Sequence, residues 1–263
     1  GAERVLEALC ELFPDAPIYT SFCVKNSTAG RAFSKAKIKE SPFAFLLKHG
    51  NLYSPLRFLT PFIWQSFDLS DYDLVITSSS WYMARGFKVS PKTKVICYCH
   101  TPPRYLYGYP TSIEWQRYWP VRIYAAIVNH FLRMYDFSTA QKIDYFLANS
   151  KNVAERIKKF YRREATVIYP PVEVEKIRKI TKGLKPKGYL LVVSRIVGAK
   201  GIEMATEAAK NLKMPLKIVG EPAGLKWFGK NLDLLKNEWV EFMGRVSDEE
   251  MFRLYGECRA FLA

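Results

Sequence analysis

Residues 189–201 read YLLVVSRIVGAKG. Five residues of apolar or aromatic character, preceded by Gly188, suit a short strand buried on both faces. Apolar residues at helical spacing begin again at Ile202, so the chain turns from strand to helix within Ser194 to Gly201. Such a turn aims the free N–H groups of the helix's first turn outward, at the positive end of its dipole. Arg195 and Lys200 stand on either side of it. Together they make a site suited to a diphosphate, unless both are ordinary solvated surface cations.

The same alternation continues on either side. Downstream, residues 202–212 read as a helix, 216–219 as a strand, 240–243 as another strand, and 248–258 as a helix opened by Ser247 with Glu250 at capping-box spacing. The last residues, 260–263, read as a further strand. Upstream, residues 3–12 space Val5, Leu6, Leu9 and Leu12 as a helix that Pro14 stops. Strands are expected at 17–22, 73–77, 94–99 and 144–148. Between 115 and 142 lies a long helical region in which Ile123, Ile127, Phe131 and Met134 share one face. Residues 153–161 form a basic helix, with Asn149 or Ser150 as its cap. Apolar strands alternating with helices imply parallel sheets covered on both faces. The expected fold class is α/β.

Beyond the turn at 194–201, four further stretches carry a family resemblance. Residues 1–5 (GAERV), 100–104 (HTPPR), 146–172 (FLANS, then VAERI, then VIYPPV) and 242–248 (FMGRVSD) occur in an order similar to that of the GT-B glycosyltransferases, in the large retaining family often labelled glycosyl transferases group 1. The resemblance implies two Rossmann-like domains facing a cleft: an acceptor-side domain over 1–172, a connection over 173–187, and a nucleotide-sugar domain over 188–263. It implies that Arg195 and Lys200 bind the donor's diphosphate, with Ser194 and Gly201 in the same turn and Val246 beside the nucleobase. His100 would face the donor sugar and acceptor, and Gly1 and Arg104 would belong to loops at the cleft.

The resemblance also implies a hexose transferred with retention and no required metal, from GDP-mannose or a UDP-sugar as substrate rather than cofactor. Mannose comes first, because the HTPPR segment is similar to that of mannosyltransferases building surface polysaccharides. The acceptor would be a glycan or a lipid-linked one. Two departures stand out. The family's Glu-x7-Glu motif follows the last strand seen here, and its first strand precedes Gly1, so the chain reads as a fragment with an incomplete second domain, inactive alone. The family's Gly-x-Gly turn is replaced by Gly220-Glu221-Pro222, and proline removes an N–H that could face a ligand.

The net charge is +15, and the excess leans to the first half. There Lys25, Arg31, Lys35, Lys37, Lys39 and Lys48 face only Glu40, with Phe43, Phe45, Phe62 and Trp64 close behind as exposed aromatics. That pairing suits an anionic membrane surface, or else a solvated lysine face over core aromatics. No nucleic-acid motif accompanies the charge, so nucleic acid is not an expected partner. Five cysteines without a CxxC pair suit a reducing cytoplasmic setting, peripheral to the inner face of the plasma membrane if the basic surface docks there. A sugar-nucleotide-binding or membrane-associated scaffold without catalysis is the alternative from another class. A phosphorylase-like enzyme of the same fold would need a pyridoxal-binding lysine segment, and none is visible here.

Overall fold

The computed structural model describes residues 2–49, 53–109, 111, 118–197, 200–222 and 235–263. They fall into two compact units that part between Pro171 and Val172, the short segment 110–115 aside.

The first unit opens with α1 (Ala2–Leu12) and a two-stranded parallel pair, β1 (Ile18–Thr20) with β2 (Ile38–Glu40). Short helices α2 (Thr28–Ala32), α3 (Ala44–Lys48) and α4 (Thr60–Gln65) and a 3-10 turn at Pro55–Leu59 fill the stretch up to the main sheet. That sheet holds β3 (Leu74–Ser79), β4 (Lys94–Cys99), β5 (Tyr145–Ala148) and β6 (Thr166–Val167) in sequence order, every pair parallel. The long helix α5 (Trp119–Ala140) and α6 (Lys151–Tyr161) are the crossovers. Of the two candidate caps Ser150 is the one used, its hydroxyl accepting from Val153 N at 3.3 Å, which satisfies one of the helix's free donors. Val95, Cys97, Phe146, Val153, Ile157 and Tyr161 form the core beneath this sheet.

The second unit begins with α7 (Val174–Thr181), inside the charged stretch expected to be a connection. It continues with β7 (Leu190–Val193), α8 (Ile202–Leu212), β8 (Leu216–Val219), β9 (Val240–Gly244), α9 (Asp248–Glu257) and β10 (Ala260–Leu262). Its sheet runs β10-β7-β8-β9, again all parallel. Ser247 caps α9 by accepting from Glu250 N at 3.2 Å, as the capping-box spacing implies. The helix α7 packs on α9 at Gly256, where an added Cβ would lie 3.0 Å from Thr181 Cγ2 and Leu184 Cδ1. Glycine lets the two helices approach.

Ile123, Ile127, Phe131 and Met134 share a face of α5 as expected, and each is more than half exposed. The buried face carries Ala125, Asn129, Leu132, Asp136, Thr139 and Ala140. One expectation changes. Trp64 is not an exposed aromatic: it is 7% exposed, and its indole N–H donates to Tyr82 O at 2.6 Å, the partner a buried indole needs. Phe43 is half-buried against the same cluster, whereas Phe45 and Phe62 are exposed.

Candidate active site

In the second unit, β7 lies inside its sheet, between β10 and β8, and its carboxyl end leads into the basic turn. Ser194 N donates to Val219 O at 3.0 Å, and Ser194 Oγ donates to Arg195 O at 3.2 Å, so the backbone is held as it leaves the sheet. The side chains of Arg195 and Lys200 are exposed. No ion pair or hydrogen bond engages either side chain among the described residues. Gly201 caps α8 with φ 65°, a left-handed conformation that favours glycine.

The loop after β8 is tied to this turn. Ile196 N donates to Glu221 O at 3.0 Å, and Ile196 forms a parallel bridge with Pro222. Pro222 thus sits where no N–H is required of it. Gly220 has φ 141°, and a Cβ there would collide with Ser194 O. Only glycine lets the two strand ends come so near. Val246 lies just past β9, half-buried against Tyr189, Leu191, Val219 and Leu254. Ser194, Arg195, Lys200, Gly201 and Val246 therefore gather at the carboxyl edge of one parallel sheet, where open α/β sheets place their ligands.

In the first unit, His100 directly follows β4. Its N–H donates to Ser79 O at 2.9 Å, its Nε2 is 2.8 Å from Ser78 Oγ, and its ring packs on Tyr98 with centroids 5.1 Å apart. Nδ1 is left without a protein partner among the described residues. Burial lowers the imidazole below its ordinary pKa, because the charged form loses solvation. Thr101 Oγ1 accepts from Arg156 Nη1 at 3.2 Å, and the 3-10 turn Arg104–Leu106 closes the loop. Arg104 is exposed on it. Gly1 lies outside the described residues.

Beneath that loop is a buried polar network. Arg85 and Asp136, 1% and 0% exposed, form an ion pair. Asp136 Oδ1 accepts from Tyr161 OH at 3.2 Å and Oδ2 from Tyr107 OH at 2.7 Å, while Tyr135 OH donates to Arg85 O at 2.6 Å. Burial pushes the Asp136 carboxyl upward in pKa, opposed by Arg85 and the two phenols. Tyr107 belongs to the loop that starts at His100, so the network anchors it from below. Neither Ser78 nor Asp136 was legible as a site residue. The signal for Ser78 lay in the register: Ser78 stands opposite Tyr98 and Ser79 opposite Cys99, which brings the end of a serine-rich strand beside His100.

A family model described as Glycosyltransferase Family 4 matches residues 1–176. No curated protein matches the chain significantly by sequence. Among solved structures, that of HepE from Anabaena in complex with UDP and glucose aligns with 99% of this chain and 70% of its own, at 14% identity and a TM-score of 0.58. The HepE complex with UDP-glucose aligns with 99% and 69%, at 14% identity and a TM-score of 0.59. At that identity the likeness is one of fold, the mixed α/β arrangement of parallel sheets found in GT-B glycosyltransferases.

Proposed function

Because the chain belongs to glycosyltransferase family 4, we propose that it serves the transfer of a hexose from a nucleotide diphosphate sugar to a glycan or lipid-linked acceptor, with retention of configuration. The observation that carries this reading is the strand-to-helix turn of the second unit, where two exposed cations, without an ion-pair partner among the described residues, flank the amino end of α8. Arg195 and Lys200 take the diphosphate, joined by helix N–H groups. Their charge stabilises the leaving group as the glycosidic bond to it breaks, a form of electrostatic stabilisation amounting to several kcal/mol. The departing phosphate oxygen accepts the acceptor's proton on the same face. Ser194 and Gly201 shape the turn, Val246 borders the nucleobase, and His100 with Arg104 serves the sugar and acceptor. UDP and UDP-glucose in HepE support a UDP-linked hexose, and the motif at 100–104 supports GDP-mannose.

Arg195→Ala and Lys200→Ala each weaken nucleotide-sugar binding and lower turnover at least tenfold, as the loss of a charge-assisted hydrogen bond of about 1.5–3 kcal/mol requires. Calorimetric titration against a panel of UDP- and GDP-hexoses measures this and selects the donor. Unchanged affinity in both variants would sink the assignment, and binding without transfer to any acceptor would point to a scaffold.

We also propose an anionic membrane surface as partner of the first unit. No described helix is long and apolar enough to cross a membrane, so contact would be superficial. Lys25, Arg31, Lys35 and Lys37 are exposed, as is Phe45, and Trp119, Ile123, Ile127 and Phe131 form an exposed apolar stripe on α5 flanked by Arg122. Co-sedimentation with anionic vesicles is expected to fall on changing Lys35, Lys37 and Lys39 to Glu, and on raising salt from 0.1 M to 1 M, where the screening length shrinks from about 10 Å to about 3 Å. Binding indifferent to lipid charge, salt and those changes rejects the idea.

A further inference from the structure

Among the described residues, two arginines of the first unit are buried, and they differ in company. Arg85 is paired with Asp136. Arg57 is 8% exposed, yet no carboxylate pairs with it among the described residues and its Nε has no hydrogen-bond partner. Its guanidinium lies over two rings, 5.1 Å from the centroid of Tyr105 and 5.3 Å from that of Tyr124. An arginine stays charged at any working pH and presents five donors in a planar fork. Ring faces attract the charge but leave the buried Nε without a hydrogen bond, and a buried polar group without a partner is costly.

A run of aromatic contacts leads away from Tyr105. Tyr105 packs on Trp81 with centroids 5.6 Å apart. Trp81 meets Tyr53 edge-on at 6.4 Å, and Tyr53 stacks on Phe22 at 6.0 Å. Tyr53 is 41% exposed, and Trp81 and Phe22 are half-buried. This aromatic wall ends at the carboxyl edge of the main sheet. Trp81 follows β3, which ends beside the Ser78–His100 pair, and Tyr105 lies on the loop that His100 begins and donates to Trp81 O at 3.4 Å. Half-exposed aromatic faces next to an unmatched cation suit a ligand with an oxyanion joined to an apolar or sugar-ring face.

We propose that Arg57 anchors an oxyanion subsite, walled by Trp81, Tyr53 and Phe22, that takes a phosphate or carboxylate group of the acceptor. The subsite follows from Arg57 and its neighbours; its assignment to the acceptor rests on the glycosyltransfer reading above. Arg57 is a binding residue in this account, with no part in bond breaking.

The test is calorimetric titration of the whole chain with inorganic phosphate while saturating UDP fills the donor site. Arg57→Gln weakens the remaining phosphate binding at least tenfold. Arg57→Lys keeps the charge, holds affinity within a few fold, and serves as the informative variant if Arg57→Gln does not fold. Arg195→Ala weakens UDP and leaves this phosphate site unchanged. If Arg57→Gln binds phosphate as the parent does, or the parent binds none, the subsite is overturned whatever Arg195 does. If UDP binding ignores Arg195 while phosphate binding depends on Arg57, the donor reading falls and the subsite stands. Two further arms, a soluble hexose 1-phosphate and vesicles containing phosphatidylglycerol, separate a sugar phosphate from a lipid headgroup as the source. Arg57-dependent binding in either arm supports the subsite and names its source; dependence in neither overturns its assignment to an acceptor.

Discussion

Asp136→Ala lowers the unfolding free energy of the first unit by about 3–5 kcal/mol, because it strands the Arg85 cation with no anion inside the fold. The residue is fully buried and accepts from Arg85, Tyr107 and Tyr161 at once. Deleting it leaves three donors facing an apolar hole, and each unsatisfied group adds its own desolvation cost. The control is the paired change Arg85→Met with Asp136→Leu, which removes both charges and recovers most of the loss, since an apolar pair of similar volume is often neutral or better. Urea denaturation of the parent and the two variants measures the difference. A loss under about 1 kcal/mol in Asp136→Ala would show that the network is not what holds this region.

His100→Ala, as the second large effect, lowers kcat by about 10²–10⁴, the range for removing a positioned proton-transfer or polar group. Affinity for the free nucleoside diphosphate stays within a few fold, because the side chain is assigned to sugar and acceptor rather than to phosphates. Collapse of nucleotide affinity in a folded variant would refute that geometry. The pH response follows from burial. Since the folded imidazole has a lowered pKa, its contribution to stability is present above the ordinary histidine value of about 6.5 and is lost as pH falls through the folded value. The pH profile of turnover should show its acid limb below about 6.5, and that limb should vanish in His100→Ala.

Periodicity located the long strands and the crossover helices because a parallel sheet buries both faces of its strands and leaves apolar runs such as 94–99 and 189–193 in plain view. It could not say which face of α5 would be buried. Four apolar side chains at helical spacing advertise a core face, yet the face that is buried carries small and polar residues, because Asp136 on it pairs with Arg85 and Asn129 donates to Tyr105 O at 3.3 Å. A partner far along the chain decides such a case, and spacing within one helix carries no record of it. Trp64 was misjudged for a similar reason: its acceptor, Tyr82 O, lies in another element. The turn holding Arg195 and Lys200 was legible because an apolar strand and the helix after it mark it locally, although the loop after β8 that ties it down was not. The setting of His100 beside Ser78, and the isolation of Arg57, depend on strand register and loop packing that no motif encodes.

The all-parallel pairing has a consequence for the order in which the molecule can be made. Each parallel pair must close a crossover before it gains a hydrogen bond, which makes such sheets slow to form. The main sheet of the first unit needs nothing beyond Val167, whereas the second cannot be finished until Ala260 pairs with Leu190. During synthesis at 5–20 residues per second, the ribosome therefore releases every strand of the first sheet roughly 5–20 seconds before β10 emerges. Until β10 arrives, the nascent second unit presents one whole side of β7 as an open edge, and that interval is when a chaperone has the most to protect.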